Sequence, residues 1–155
     1  MLANDHLATH LITNLCASGK TFIDIGAHIG SVISAVQTHV PSAIIIAIEA
    51  VPEKAAHLRR SFPKAQVHQV ALGNSEGEVR FFVDTKQSGR GYSSLFRPLT
   101  TDTREILEIS VAMTRLDRLV ESDTIDVIKV DVEGAELDVL LGSTATIARN
   151  RPIIM

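Results

Sequence analysis

Cysteine and aromatic residues are scarce in this chain of 155 residues, which has one cysteine, one tyrosine and no tryptophan. A single cysteine, Cys16, excludes an intramolecular disulfide and a cysteine-rich zinc site, so the fold must be stabilised by burial. This use of cysteine is compatible with a reducing compartment, and we expect a cytoplasmic protein.

Long apolar runs and an excess of charge of one sign are also missing. The longest uncharged apolar stretch, 43–48, is far shorter than the roughly 20 residues that cross a bilayer. Residues 1–20 contain no continuous apolar block and do not predict a signal peptide. With a formal net charge of -3, the chain is not a strongly basic nucleic-acid binder. We therefore expect neither a membrane nor a nucleic acid as partner.

The composition is that of a globular protein, with 45% apolar and 21% charged residues. Two domains of this total length would each have a small core, so we expect one domain over residues 1–155. Residues 1–20 are expected to form a helical lead-in to that domain.

Two short apolar segments, Thr21–Ile25 and 43–48, are rich in β-branched residues. They are too short for helices and almost continuously apolar, which predicts strands covered on both faces. Residues 31–40 between them have a helical apolar pattern that ends at Pro41. This βαβ unit predicts an α/β fold with an open, mostly parallel sheet and helices on both faces.

The rest of the chain continues the alternation of strands and helices. Further strands are predicted at 66–72, 78–83, 108–113, 125–131 and 151–155, and further helices at 52–62, 116–120 and 133–148. Leu137, Leu140 and Leu141 are predicted to form the inner face of the last helix. The polar residues 85–103 predict a long loop. Because the chain ends inside a predicted strand, we expect it to be truncated from a longer protein.

The motif Asp24-Ile25-Gly26-Ala27-His28-Ile29-Gly30 lies where the first strand turns into the first helix. Gly26 leaves room for a ligand or a tight turn against the backbone, and Gly30 permits close packing of strand and helix. A dinucleotide fingerprint needs a glycine where this chain has His28. The motif therefore predicts a ligand other than a pyrophosphate.

Glu49 directly follows the second strand, 23 positions after Gly26. An acid at this position of a nucleotide-binding unit accepts hydrogen bonds from ribose hydroxyls. Taken alone, the glycine pair could be a structural turn and the acid a solvated surface group. Their placement at consecutive strand ends favours an adenosine-type ligand, because ligands of open α/β sheets bind at the carboxyl ends of the strands.

A third motif, residues 129–136, places Asp131, Glu133 and Glu136 at another strand end that opens a helix. One interpretation is helix capping, since acids are stabilised near a helix N-terminus. The other is that Asp131 binds a positively charged cofactor while Glu133 or Glu136 faces substrate. A divalent ion held by Asp131 and Glu133 is less favoured, since no further ligand cluster is present, and no metal is predicted.

Together these residues resemble the FkbM-type methyltransferases over about residues 20–155. The resemblance is carried, in order, by Asp24-Ile25-Gly26-Ala27-His28-Ile29-Gly30, Ile48-Glu49-Ala50-Val51-Pro52-Glu53, Val70-Ala71-Leu72-Gly73-Asn74-Ser75-Glu76-Gly77, Tyr92-Ser93-Ser94-Leu95, Thr114-Arg115-Leu116-Asp117 and Ile128-Lys129-Val130-Asp131-Val132-Glu133-Gly134-Ala135-Glu136. The most specific element is Lys-Val-Asp-Val-Glu-Gly-Ala-Glu. The resemblance implies a Rossmann-like class I methyltransferase fold, S-adenosyl-L-methionine (SAM) as cofactor, and O-methylation of a hydroxyl on a sugar or other natural product.

The resemblance also implies a set of cofactor-binding residues. The methionine part of SAM would contact Asp24, Gly26, Ala27, His28 and Gly30, the ribose Glu49, the adenine Ala50, Val51, Ala71 and Leu72, and the sulfonium Asp131. Two features depart from the family pattern. His28 replaces a frequent asparagine, and the sixth and seventh strands are missing, so we expect a fold truncated after the fifth core strand.

Transfer of a methyl group to a hydroxyl benefits from a base, for which Glu133 and His28 are the catalytic candidates and Glu136 a weaker one. The loop 88–94 is the candidate gate for a small-molecule acceptor. Two alternatives remain. A nonenzymatic SAM-binding remnant is favoured by the missing end, whereas an NAD-type oxidoreductase is disfavoured by His28 and by the lack of a Tyr-Lys pair near the site.

Overall fold

The computed structural model describes residues 3–16, 19–84, 93–94, 106–121 and 124–155. The helices are α1 (Ala3–Leu15), α2 (Ser31–His39), α3 (Pro52–Ser61), α4 (Leu116–Leu119), α5 (Glu136–Leu141) and α6 (Thr144–Asn150). The strands are β1 (Thr21–Ile25), β2 (Ile44–Ile48), β3 (Gln66–His68), β4 (Ala71–Leu72), β5 (Gly77–Asp84), β6 (Ser93–Ser94), β7 (Ile106–Thr114), β8 (Val127–Val130) and β9 (Ile153–Ile154). No helix within these ranges is long and apolar enough to cross a membrane.

The main sheet has five parallel strands in the order β3-β2-β1-β8-β9. From β1 the chain runs to β2 and β3 on one side and later returns to β8 on the other. The strand order therefore reverses at β1, and such a switch point opens a crevice at the carboxyl ends of the strands. The predicted α/β class and parallel sheet are confirmed.

The side chains of the main sheet fill an apolar core on each face. On one face, helices α1, α2 and α3 cover the sheet. The core there contains the strand residues Phe22, Ile45, Ala47 and Val127 and, from the helices and the residue after α1, Ile12, Cys16, Ile33, Val36 and Leu58. The other face packs Ile23, Ile25, Ile46, Ile48 and Ile128 with Leu116, Val120, Ile125 and Val139. Because alternate residues of a strand point to opposite faces, a strand covered on both sides is apolar at most positions. This explains the apolar pattern of β2 and of β1, in which Asp24 is the charged exception.

A second sheet follows the order β4-β7-β5-β6, with β5 antiparallel to β7 and β4 parallel to β7. The prediction of one strand over 66–72 is wrong, because β3 pairs with β2 in the main sheet and β4 pairs with β7 in the second. The exposed Gln69 lies between the two pieces, where the chain leaves one sheet for the other.

The predicted helix 133–148 is also wrong in its extent, because it is divided into α5 and α6. A Cβ atom on Gly142 would lie 1.9 Å from the carbonyl oxygen of Gly73. The backbone between α5 and α6 is therefore in close contact with the turn after β4. The predicted inner face fails as well. Leu137 and Leu141 are 69% and 48% exposed, whereas Val139 is buried. The helix begins later than predicted, after a turn at Glu133 and Gly134, and Val139 is its buried residue.

The other predicted elements agree with the structure within a few residues. The strands at 78–83, 108–113, 125–131 and 151–155 correspond to β5, β7, β8 and β9, and the helices at 31–40, 52–62 and 116–120 to α2, α3 and α4. Within the predicted loop 85–103, Ser93 and Ser94 pair with β5 as β6. The rest of that loop, including most of the candidate gate 88–94, lies outside the described residues.

Asp117, at the start of α4, ties this part of the chain to α6. Its carboxylate accepts hydrogen bonds from the backbone N–H groups of Ala145 (3.2 Å) and Thr146 (2.7 Å) and from Arg115 (3.2 Å). Burial opposes the charge of Asp117, but these donors outweigh it and hold its pKa below the ordinary value. Asp117 therefore satisfies N–H groups at the first turn of α6 that have no partner within the helix.

We expect Asp117→Ala to lower the free energy of unfolding by about 1 to 3 kcal/mol, because two backbone donors lose their acceptor. Thermal and urea unfolding would measure this, with the exposed Glu121→Ala as a control of small effect. The contribution of Asp117 is present above its unfolded-state pKa and is lost as pH falls through its lower folded-state pKa. A difference between wild type and variant that does not shrink in acid would contradict this assignment.

Candidate functional site

The carboxyl ends of β1, β2 and β8 meet at one edge of the main sheet. The N–H groups of Gly26 and Ala27 donate to the carbonyl of Ile48, at 2.9 and 3.1 Å. On the other side, the N–H of Asp131 donates to the carbonyl of Ile25 at 3.1 Å. The three sequence motifs, which are distant along the chain, are therefore joined by backbone hydrogen bonds.

The loop after β1 has an unusual backbone, with positive φ at Gly26 (77°), His28 (53°) and Gly30 (84°). A Cβ atom on Gly26 would lie 1.9 Å from the carbonyl oxygen of Asp131. The space beside Gly26 is thus occupied by the end of β8. A Cβ atom on Gly30 would lie 2.2 Å from the ring of Phe62, so this glycine makes room for the end of α3 rather than for a strand.

Glu49, at the end of β2, is 5% exposed. Its carboxylate accepts hydrogen bonds from the backbone N–H of His28 and of Val51, both at 2.9 Å. Burial raises the pKa of Glu49, and these hydrogen bonds and the nearby Lys54 oppose the shift. Each oxygen accepts one of these bonds, and a carboxylate oxygen has two acceptor positions, so capacity for hydroxyl donors remains.

Asp24 and Lys129 form a buried ion pair across the β1–β8 register. The Lys129 ammonium lies 3.1 Å from Asp24 and 3.5 Å from Asp131. Burial raises the pKa of Asp24, and Lys129 partly offsets the shift. Burial opposes the charge of Lys129, but the two carboxylates outweigh it and raise its pKa. The predicted site residue Asp24 therefore lies beneath the surface, whereas Asp131 reaches the surface.

The loop after β8 turns sharply at Glu133 (φ 56°) and Gly134 (φ 103°). Glu136 accepts hydrogen bonds from the N–H groups of Val132 (3.3 Å) and Gly134 (3.1 Å), and backbone donors lower its pKa. Glu136 therefore stabilises the loop before α5, whereas the N-terminus of α5 has no side-chain cap, so these bonds are not the predicted helix capping. Glu133 is an exposed residue. The pKa of its carboxyl is nevertheless raised, by partial loss of hydration and by the neighbouring charges of Asp131 and Glu136.

The residues predicted to edge an adenine do not all lie together. Val51 and Ala71 are buried in one apolar cluster with Phe81 and Val111, and Ala50 packs against it. Leu72 instead packs in the core of the main sheet. Neighbouring residues of a strand point to opposite sides, so Ala71 and Leu72 cannot line the same surface.

Two lysines at the site were missed by the sequence analysis. Lys54, in the first turn of α3, is half-buried near Glu49 and Glu133; burial lowers its pKa and the two carboxylates oppose the shift. Lys129 occupies a half-buried position of β8. The sequence feature that could have identified Lys129 is a charged residue inside an otherwise apolar strand, because such a residue needs a buried partner.

Carboxylates from three strand ends and two lysines therefore lie at the topological switch point of the sheet. Elsewhere in the described residues, as here, no three histidine, cysteine, aspartate or glutamate side chains are grouped to hold a metal ion. The strand order and the glycine-rich turn after β1 define a Rossmann-like fold.

Comparison with known families agrees with this class. The model of the methyltransferase FkbM domain matches residues 24–155, and the chain belongs to the FkbM methyltransferase family. Searches of curated proteins and of solved structures give no significant match.

We expect Gly26→Ala to destabilise the protein by about 2 to 5 kcal/mol, because a Cβ atom would collide with backbone as well as adopt a strained φ. Gly77→Ala is a matched control, since Gly77 also has positive φ (142°) but open space around it. Chemical denaturation of both variants would compare the two costs. An equal or smaller loss for Gly26→Ala would show that β8 does not press on this glycine.

Proposed function

We propose that the protein is a SAM-dependent O-methyltransferase that acts on a hydroxyl of a small molecule, a sugar or another natural product, in the cytoplasm. The observation that carries this proposal is the buried Glu49 carboxylate at the tip of β2. Its orientation is fixed by the N–H of His28, from the loop after β1. An acid held there suits the two adjacent hydroxyls of a ribose.

The residues present fit SAM in charge and polarity. Glu49 would hold the ribose hydroxyls, and the apolar cluster of Ala50, Val51 and Ala71 would take the adenine. The turn from Gly26 to Gly30, with Ala27 and His28, would hold the methionine part. Asp131, whose carboxylate is 65% exposed beside β1, would lie near the sulfonium. Acids outnumber lysines at this edge, which favours a cationic ligand.

Bound SAM supplies a methyl group activated by the positive sulfur. The protein would hold the acceptor hydroxyl in line with that methyl and exclude water, and such positioning is worth up to about 7 to 11 kcal/mol. A base would take the hydroxyl proton. We propose Glu133 for this role, because it is exposed at the β8 tip and its raised pKa makes it a better proton acceptor. His28, at the β1 tip, is the second candidate.

We expect Glu49→Ala to weaken SAM binding by about 1 to 3 kcal/mol, roughly 5-fold to 150-fold, through loss of charge-assisted hydrogen bonds. Isothermal titration calorimetry with SAM would measure this. Glu53→Ala is a matched control, since Glu53 is an exposed acid close by in α3. Unchanged affinity would remove Glu49 from the site, and tight binding of NAD with none of SAM would overturn the proposed function.

We expect Glu133→Gln to reduce kcat by about 10²-fold to 10⁴-fold while the Kd for SAM stays the same, because the base acts on the acceptor proton. In the wild type, kcat should fall as pH decreases through the raised pKa of Glu133, since the protonated acid cannot accept a proton. Transfer of radiolabelled methyl to a panel of sugars and natural products across pH would test this. A variant that keeps the acid limb of the wild-type profile would exclude Glu133 as the base. Binding of SAM with no transfer to any acceptor would favour a nonenzymatic SAM-binding protein.

A further inference from the structure

Lys129 is the one charged residue of β8, whose other residues are apolar. It lies directly opposite Asp24 in the β1–β8 register, and the two side chains are 17% and 1% exposed. A buried ion pair loses the hydration of both charges, and apolar residues of similar size would often be at least as stable there. Stability alone therefore does not explain why this position of β8 carries a lysine.

Asp24, Lys129 and Asp131 form a cluster of three charged residues, and Asp131 lies at the carboxyl edge of the sheet. Asp131 follows Lys129 by two residues, and both point to the same side of the sheet, with 3.5 Å between ammonium and carboxylate. The Asp131 backbone is fixed by its hydrogen bond to Ile25 and by its contact with Gly26. Its carboxylate, in contrast, is 65% exposed, and Lys129 is the charged group that restrains it.

We propose that Lys129 is a positioning residue: anchored on the buried Asp24, its ammonium holds the Asp131 carboxylate in the orientation that meets the positive sulfur of SAM. This inference rests on the proposed function. Lys129 acts through Asp131 and does not itself touch the ligand. A carboxylate already held in place spends less conformational entropy when the ligand binds.

The charges of the cluster make this inference specific. Two carboxylates and one ammonium leave one net negative charge, which favours the cationic sulfonium of SAM over the neutral thioether of S-adenosylhomocysteine. Without Lys129, the buried Asp24 loses the counter-ion that opposes the rise of its pKa, which favours its protonated form. The net charge of the cluster then stays the same, so removal of Lys129 changes the orientation of Asp131 and not the charge that the ligand meets.

A double-mutant cycle tests the coupling of the two residues. We would titrate the wild type, Lys129→Met, Asp131→Asn and the double variant with SAM and with S-adenosylhomocysteine by calorimetry. Each single variant is expected to bind SAM about tenfold more weakly, with a smaller loss for S-adenosylhomocysteine. The double variant is expected to bind no more weakly than Asp131→Asn.

Three results would overturn the inference: unchanged SAM affinity in Lys129→Met, additive losses in the double variant, or equal losses for both ligands. Lack of SAM binding by the wild type would overturn the proposed function and the inference with it.

If Lys129→Met is poorly folded, Asp24→Asn/Lys129→Met removes both charges of the pair together and should restore stability. It should still bind SAM about tenfold more weakly, whereas Lys129→Arg should retain the preference for SAM.

Discussion

The parallel register of β1 with β2 on one side and β8 on the other determines the position of every group at the site. Gly26 and Ala27 donate to the last residue of β2, and Asp131 donates to the last residue of β1. Three loops from distant parts of the chain are thereby held within hydrogen-bond distance of one another. A close approach of this kind requires a residue without a side chain at position 26, where the carbonyl of Asp131 occupies the space.

Charge is used differently at the three strand ends. At β2, Glu49 is buried, and backbone N–H groups of His28 and Val51 fix the orientation of its carboxylate, with Lys54 nearby. At β8, the half-buried Lys129 pairs with the buried Asp24 of β1 and lies 3.5 Å from the exposed Asp131 carboxylate. Strained backbone at His28 and Glu133 lies in the same loops, as is common where a fold holds functional groups. These features suit the binding edge that we propose.

The sequence was sufficient for the fold class and for the three strand-end motifs that meet at the sheet edge, because apolar periodicity and strand-end motifs are local signals. It was insufficient for features that depend on tertiary contacts. The division of 66–72 between two sheets depends on β7, which is distant in sequence. The exposure of Leu137 and Leu141 depends on how α5 packs on the main sheet, where Val139 is the residue in the core. The role of Lys129 needs its cross-strand partner, which a single sequence does not identify.

The central claim is that the carboxyl edge around β1 holds an adenosine with a positively charged sulfur. A crystal structure of the protein with bound SAM tests it most directly. We expect the ribose hydroxyls within hydrogen-bond distance of Glu49 and the sulfur on the Asp131 side of β1. Density for SAM at any other part of the surface, or a ribose turned away from Glu49, would contradict this account.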